Sequence, residues 1–190
     1  MRMCFVNFFM SLSPWRRAWD FCRPVLIVDG SFMKAYYKGT LLTACGQDTN
    51  GHIVPLAFRI CDSESKASWN WFLSQVHDCI AFQPDMFIVS DKHEGILSDV
   101  SDIFSHALHE YCVEHLRHNM VPKFRGADKN LGWKFKAAYM TSTQKEFEEY
   151  MSLLDSEDVH IRPWLRKIDF QKWAKCMSGL LIKITLVAIY

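Results

Sequence analysis

The sequence predicts an α/β fold in which a three-strand antiparallel meander joins parallel strands in one mixed sheet, followed by a helical segment. Three observations predict it. Short aliphatic and β-branched runs alternate with turn residues, Asn50-Gly51 joins two of these runs as a hairpin, and amphipathic helical patterns come next. With 190 residues, 49% of them apolar and 23% charged, the chain is long enough for a sizeable core.

The meander occupies the first part of the chain. Residues 1–23 carry aromatic side chains at helical intervals and predict a helical lead-in. An apolar run at 25–28, typical of a buried strand, ends at Asp29. Two further strands are predicted at 39–45 and 53–61.

The second part of the predicted core alternates helices and strands. A helix follows from the spacing of Trp69, Phe72, Leu73, Val76 and Ile80. A strand at 86–90 ends at Asp91, a second helix follows, and a short strand is predicted near 108–112. The order βββαβα, with an acid on the first and fourth strands, is typical of a ribonuclease-H-like domain. We therefore predict a core at 24–125, a helical insertion at 126–176 and an atypical apolar tail at 177–190.

Asp29 and Asp91 are the candidate catalytic residues. A carboxylate at the end of a buried strand is costly to desolvate unless it is paired, hydrogen-bonded or bound to a metal. The simpler interpretation is that Asp29 caps a turn at Asp29-Gly30. The alternative is that the two aspartates meet at one edge of the sheet and bind Mg²⁺ or Mn²⁺ for phosphodiester chemistry.

Two further patterns have chemical potential. His109, Cys112, His115 and His118 are three residues apart, so all four share one side if the stretch is helical, and only the last three do if it begins as a strand. A structural zinc usually takes four ligands from two segments, so a packed strand–helix junction is favoured over zinc. A basic cluster interleaved with aromatics either follows a phosphate backbone or forms a solvated helix face; it comprises Lys123, Arg125, Lys129, Lys134 and Lys136.

Composition narrows the function classes. The net charge is +1, so contact with nucleic acid must come from local patches and not from a global basic field. Seven unevenly spaced cysteines predict the reduced thiols of an intracellular protein. The apolar stretches near both ends favour neither a signal peptide nor a membrane helix.

Four segments together resemble a known family: CRPVLIVDGSFMKAYYKGTLLTACGQDTNGHIVPLAF, SWNWFL, FIVSDKHEGI and YCVEHLRHN. In this order they are similar to the transposase domain of Mutator-like elements (MULE), which are plant DNA transposons, over approximately residues 5–173. The resemblance implies a DDE-type transposase on a ribonuclease-H-like fold. Asp29 and Asp91 would be its first two metal-binding acids, holding Mg²⁺ or Mn²⁺, and Cys112 and His115 its CxxH motif.

The resemblance also implies the partners: transposon terminal repeats and target DNA, in the nucleus, with assembly into a homo-oligomer as a further expectation. One feature departs from the family. Its third acid is a glutamate in a downstream block resembling TSNxxESxN, and these 190 residues contain no such block. We therefore expect impaired catalysis. The alternatives are a domesticated transposase-derived protein that binds DNA and regulates transcription, or a ribonuclease-H-like nuclease acting on RNA–DNA hybrids.

Overall fold

The computed structural model describes residues 7–34, 38–92, 94–124 and 130–178. Its centre is a six-stranded mixed sheet in the order β1-β4-β3-β2-β5-β6. The strands are β1 (Asn7–Met10), β2 (Val25–Met33), β3 (Gly39–Gln47), β4 (Ile53–Cys61), β5 (Phe87–Ser90) and β6 (Leu108–Tyr111). The helices are α1 (Ser13–Trp19), α2 (Lys66–Cys79), α3 (Glu94–Ile103), α4 (Val113–Lys123), α5 (Leu131–Met140), α6 (Gln144–Glu157) and α7 (Ile161–Arg166). The mixed α/β class is confirmed.

The chain divides into two compact units, Met1–Glu110 and Tyr111–Tyr190. The first contains the meander, β5 and the helices α1 to α3, and the second contains α4 to α7. This division falls upstream of residue 125, where the predicted core was expected to end. The predicted tail at 177–190 lies outside the described residues from position 179 onward.

The antiparallel meander forms as predicted. β2 pairs with β3, and β3 pairs with β4, both antiparallel. The connecting turn has Gly51 at φ 90°, which a residue without a side chain adopts without strain. Gly51 N–H donates to Asp48 O at 3.1 Å, and His52 N–H donates to Asp48 Oδ1 at 2.8 Å. The Asn-Gly signal therefore predicted the hairpin correctly.

The helical lead-in predicted over 1–23 is wrong in part. Asn7–Met10 is the edge strand β1, paired antiparallel with β4, and the lead-in is helical only over Ser13–Trp19. An unpaired β4 edge would leave its backbone donors and acceptors without sheet partners, and β1 supplies them. The buried Arg59 guanidinium on β4 also donates to Asn7 Oδ1 at 2.7 and 3.0 Å.

The core of the first unit lies on one face of the sheet. Side chains alternate between faces along a strand, and the residues on this face include Leu26, Val28 and Ile88. They pack with buried side chains of the helices, among them Trp19, Trp69, Phe72, Ile96 and Val100. The alternation places Ile27, Asp29 and Val89 on the opposite face, so the candidate acid Asp29 lies on the face away from this core.

From Val113 onward, the regular elements among the described residues of the second unit are helices, as predicted. Its core includes Phe135, Phe147 and Trp173. The sequence Thr-Gln-Lys-Glu from Thr143 to Glu146 is typical of a capping box. Thr143 accepts a hydrogen bond from Glu146 N–H at 3.2 Å, so this cap forms at the start of α6. Within the described residues of the whole chain, no helix is long and apolar enough to cross a membrane.

Candidate active site

The two candidate acids are related by the register of two neighbouring parallel strands. β2 pairs with β5 in the register Val25↔Phe87, Leu26↔Ile88 and Ile27↔Val89, an offset of 62 residues (89 − 27). The same offset relates Asp29 to Asp91 (91 − 29). Adjacent strands are about 4.8 Å apart, and residues at equal register in a parallel pair share a face. Continued past the last paired residues, Ile27 and Val89, this register relates Asp29 to Asp91 on the same face of the sheet.

Asp29 does not cap a turn. β2 continues through Asp29 and Gly30 to Met33, because the antiparallel pairing with β3 extends to the register Met33↔Gly39. The Asp29 side chain is buried, at 8% exposure. Its Oδ1 accepts a hydrogen bond from Gly30 N–H at 2.9 Å, which orients the carboxylate and offsets part of its desolvation.

The charge of Asp29 affects a neighbouring thiol. Cys45 lies on β3 opposite Ile27, two positions along the strand from Thr43, which is opposite Asp29. Burial, and secondly the negative charge of Asp29, raise the pKa of Cys45 to about 11. The thiol therefore stays protonated at neutral pH.

Asp91 is the first residue after β5 and is half-buried. Its Oδ1 accepts a hydrogen bond from Lys92 N–H at 2.6 Å. Its backbone carbonyl accepts one from Ser90 Oγ at 2.8 Å, and Ser90 Oγ lies 2.8 Å from His109 Nε2 on β6. Each of the two carboxylates is thus held by the backbone N–H of the residue that follows it.

The donor set fits a hard divalent cation in part. Carboxylate oxygens suit Mg²⁺ and Mn²⁺, and Mg²⁺ is often bound through one or two carboxylates, with waters and substrate phosphates completing the shell. Across 7–34, 38–92, 94–124 and 130–178, no group of three or more His, Cys, Asp or Glu side chains is arranged to hold a metal. Asp29 and Asp91 would therefore hold such an ion only together with non-protein ligands or a further acid.

The CxxH motif lies at a strand–helix junction. Of the two alternatives for this stretch, a continuous helix or a strand followed by a helix, the structure has the second. β6 ends at Tyr111, and Cys112 is the N-cap residue of α4, so His109 is on the strand and separate from the other three residues. Cys112 is buried, His115 is half-buried and His118 is exposed. A zinc ion at this motif stays a prediction, as does the role of Cys112 and His115.

The predicted basic cluster is partly described. Lys134 forms an ion pair with Glu157, and Lys136 Nζ lies 3.9 Å from Glu114 Oε1. Lys123 is exposed in the last turn of α4. Arg125 and Lys129 lie outside the described residues. Since nearby carboxylates offset the charge of two of the three described lysines, a role of this cluster in DNA binding stays a prediction.

A comparison with protein families bears on these residues. The model of the MULE transposase domain matches residues 25–119, which is half of the chain. The chain belongs to the MULE transposase domain family. A search of curated proteins found no match. The matched segment of this MULE domain contains Asp29, Asp91, Cys112 and His115, and it ends before the predicted basic cluster.

The contact between Ser90 and His109 was not predicted from the sequence. The Ser90–His109 hydrogen bond joins β5 to β6 across 19 positions. His109 drew attention only as a member of the cysteine–histidine pattern, whose spacing gives no information about a partner on another strand. The sequence offered one indication of this contact. If the stretch from His109 begins as a strand, His109 is separated from Cys112, His115 and His118 and can lie beside β5.

Proposed function

We propose that this MULE domain is the catalytic core of a DDE-type DNA transposase on a ribonuclease-H-like fold, with Asp29 and Asp91 as its first two metal-binding acids. The observation that carries the proposal is the register of the adjacent parallel strands β2 and β5, which, continued by two residues, relates Asp29 on β2 to Asp91 just after β5. The strand order β4-β3-β2-β5-β6, in which an antiparallel meander continues into a parallel pair, supports the ribonuclease-H-like assignment.

The chemistry fits this pair of acids. A bound Mg²⁺ or Mn²⁺ would supply Lewis acidity at the phosphodiester and lower the pKa of a coordinated water. The protein contributes position and charge. The Gly30 and Lys92 amides orient the two carboxylates in advance, so little reorganisation accompanies metal and DNA binding.

A third acid is not assigned to any residue of this sequence. Glu146, Glu148 and Glu149 lie on α6, in the helical insertion predicted at 126–176, and we assign none of them to the site. Two protein carboxylates leave most of the coordination shell of the ion to water and DNA phosphates. We therefore expect the 190-residue chain alone to be impaired in strand cleavage and strand transfer. The partners proposed for the domain are transposon ends and target DNA, with residence in the nucleus.

The alternative proposal is a transposase-derived protein that binds DNA and regulates transcription without catalysis. The observation in its favour is that the described residues contain no three-ligand metal cluster. The two proposals differ in one respect that an experiment can address: catalysis requires that Asp29 and Asp91 bind a divalent metal, whereas DNA binding alone does not.

Titration of Mn²⁺ followed by electron paramagnetic resonance separates these proposals, because the method quantifies free Mn²⁺ even when binding is weak. We expect the parent chain to bind Mn²⁺, and Asp29→Asn and Asp91→Asn each to weaken binding by at least about tenfold, since each removes one of two charged ligands. The matched control is Asp102→Asn on the exposed side of α3, which leaves binding unchanged. Equal binding by all four proteins, or no binding by any, would favour the alternative.

A further inference from the structure

The Ser90 hydroxyl connects two residues and has only one proton. Ser90 is fully buried, with Oγ 2.8 Å from Asp91 O and 2.8 Å from His109 Nε2. A carbonyl oxygen only accepts hydrogen bonds, so the Ser90 proton is directed to Asp91 O. His109 must then donate its Nε2 proton to Ser90 Oγ. The contacts thus define a directed chain from His109 through Ser90 to the backbone of Asp91.

These hydrogen bonds reach the backbone of Asp91 just beyond the end of strand β5. β5 ends at Ser90, so Asp91 follows its last strand residue. The Ser90 hydrogen bond holds the Asp91 carbonyl, and Lys92 N–H holds the Asp91 carboxylate at 2.6 Å. A strand end that presents a metal ligand needs such support, because loss of an outer hydrogen bond lets the ligand rotate away from the ion.

We propose that His109 is a positioning residue for Asp91: by donating to Ser90 it fixes the backbone that presents the Asp91 carboxylate to a divalent metal. The inference rests on the proposed function, since it assumes that Asp91 binds the ion. It gives His109 a role separate from Cys112 and His115, with which its spacing had grouped it. A purely structural role for the Ser90–His109 pair is the competing explanation.

The test measures Mn²⁺ affinity by electron paramagnetic resonance at a pH and temperature where every variant is folded by circular dichroism. His109→Leu removes the donor, Ser90→Ala removes the link, and His109→Gln keeps a side-chain N–H at a similar reach. We expect the first two changes each to weaken Mn²⁺ binding by about tenfold, the lower end of the range for outer-shell partners of metal ligands. His109→Gln should stay close to the parent chain.

The double variant adds a second criterion. Both changes remove hydrogen bonds of the same series from His109 through Ser90 to Asp91. The variant with His109→Leu and Ser90→Ala should therefore bind Mn²⁺ no more weakly than Ser90→Ala alone. His106→Leu is the matched control, since His106 is exposed and contacts Phe82 instead of the strand end. If His109→Leu does not fold, Ser90→Cys tests the same link. A thiol is a weak donor of similar size, so this variant should also bind Mn²⁺ more weakly than the parent chain.

The outcomes separate this inference from the proposed function. If Asp91→Asn weakens Mn²⁺ binding while His109→Leu and Ser90→Ala bind like the parent, the inference is wrong and the proposed function stands. If Asp91→Asn binds like the parent, the proposed function is wrong and the inference fails with it. If His109→Gln is as weak as His109→Leu, hydrogen-bond donation to Ser90 is not what His109 provides, and the inference is also overturned.

Discussion

Gly30, the residue after Asp29, lies where a side chain has no room. A Cβ at this position would be 3.0 Å from Glu64 Oε1, 3.1 Å from Glu64 Cδ and 3.2 Å from Trp69 Cζ2. The Trp69 ring is fully buried, and its Nε1 donates to Glu64 Oε1 at 3.0 Å, so both neighbours are restrained. Gly30→Ala should therefore destabilise the sheet next to the candidate site.

The magnitude follows from two opposing effects. Overpacking of this kind costs about 1–3 kcal/mol, and replacing glycine in a strand by alanine regains roughly 0.5–1 kcal/mol of backbone entropy. We expect the free energy of unfolding to fall by about 1 kcal/mol in urea denaturation. Alanine keeps the N–H that donates to Asp29, so the effect is steric.

Glu64→Ala in the same chain provides the control. It removes two of the three close contacts, so the double variant should lose less stability than the sum of the two single variants. A Gly30→Ala chain as stable as the parent, or additive behaviour of the pair, would refute the packing argument for a glycine after Asp29.

Two further predictions concern other parts of the chain. Thr143→Ala removes the acceptor of Glu146 N–H at the start of α6 and should lower the free energy of unfolding by about 1 kcal/mol in urea; no change would show that the cap is dispensable. In the folded hairpin the pKa of Asp48 is lowered, mainly by the hydrogen bond from His52 N–H and secondly by the one from the His52 side chain. Its stabilising contribution is therefore present above the unfolded pKa, near pH 4, and is lost as the pH falls through the folded pKa. Thermal unfolding of Asp48→Asn should consequently show a weaker decline in stability on acidification, and an unchanged decline would contradict this.

Local patterns predicted the parts of the fold that depend on local chemistry. Three features depend only on neighbours within a few residues: the Asn50-Gly51 hairpin, the Thr143 cap and the apolar runs that form strands. The same runs ended at Asp29 and Asp91, which is why both aspartates were found from the sequence.

Pairing between distant segments decided the rest. Asn7–Met10 has aromatic spacing that suits a helix, yet it forms β1 because β4 offers an open edge. β2 was expected to end at Asp29, yet β3 extends it to Met33. The Ser90–His109 contact is likewise invisible to spacing, since it depends on β6 lying beside β5.

The place where a divalent ion binds decides whether Asp29 and Asp91 form a metal site. In an amide-resolved NMR spectrum of the parent chain, Mn²⁺ broadens resonances according to their distance from the ion. We expect broadening to be strongest at the Gly30 and Lys92 amides, which hydrogen-bond to the Asp29 and Asp91 carboxylates. Asp29→Asn should strongly reduce it there at the same Mn²⁺ concentration. Broadening centred on Cys112 to His118 instead, or uniform weak broadening with no centre, would contradict a metal site between β2 and β5.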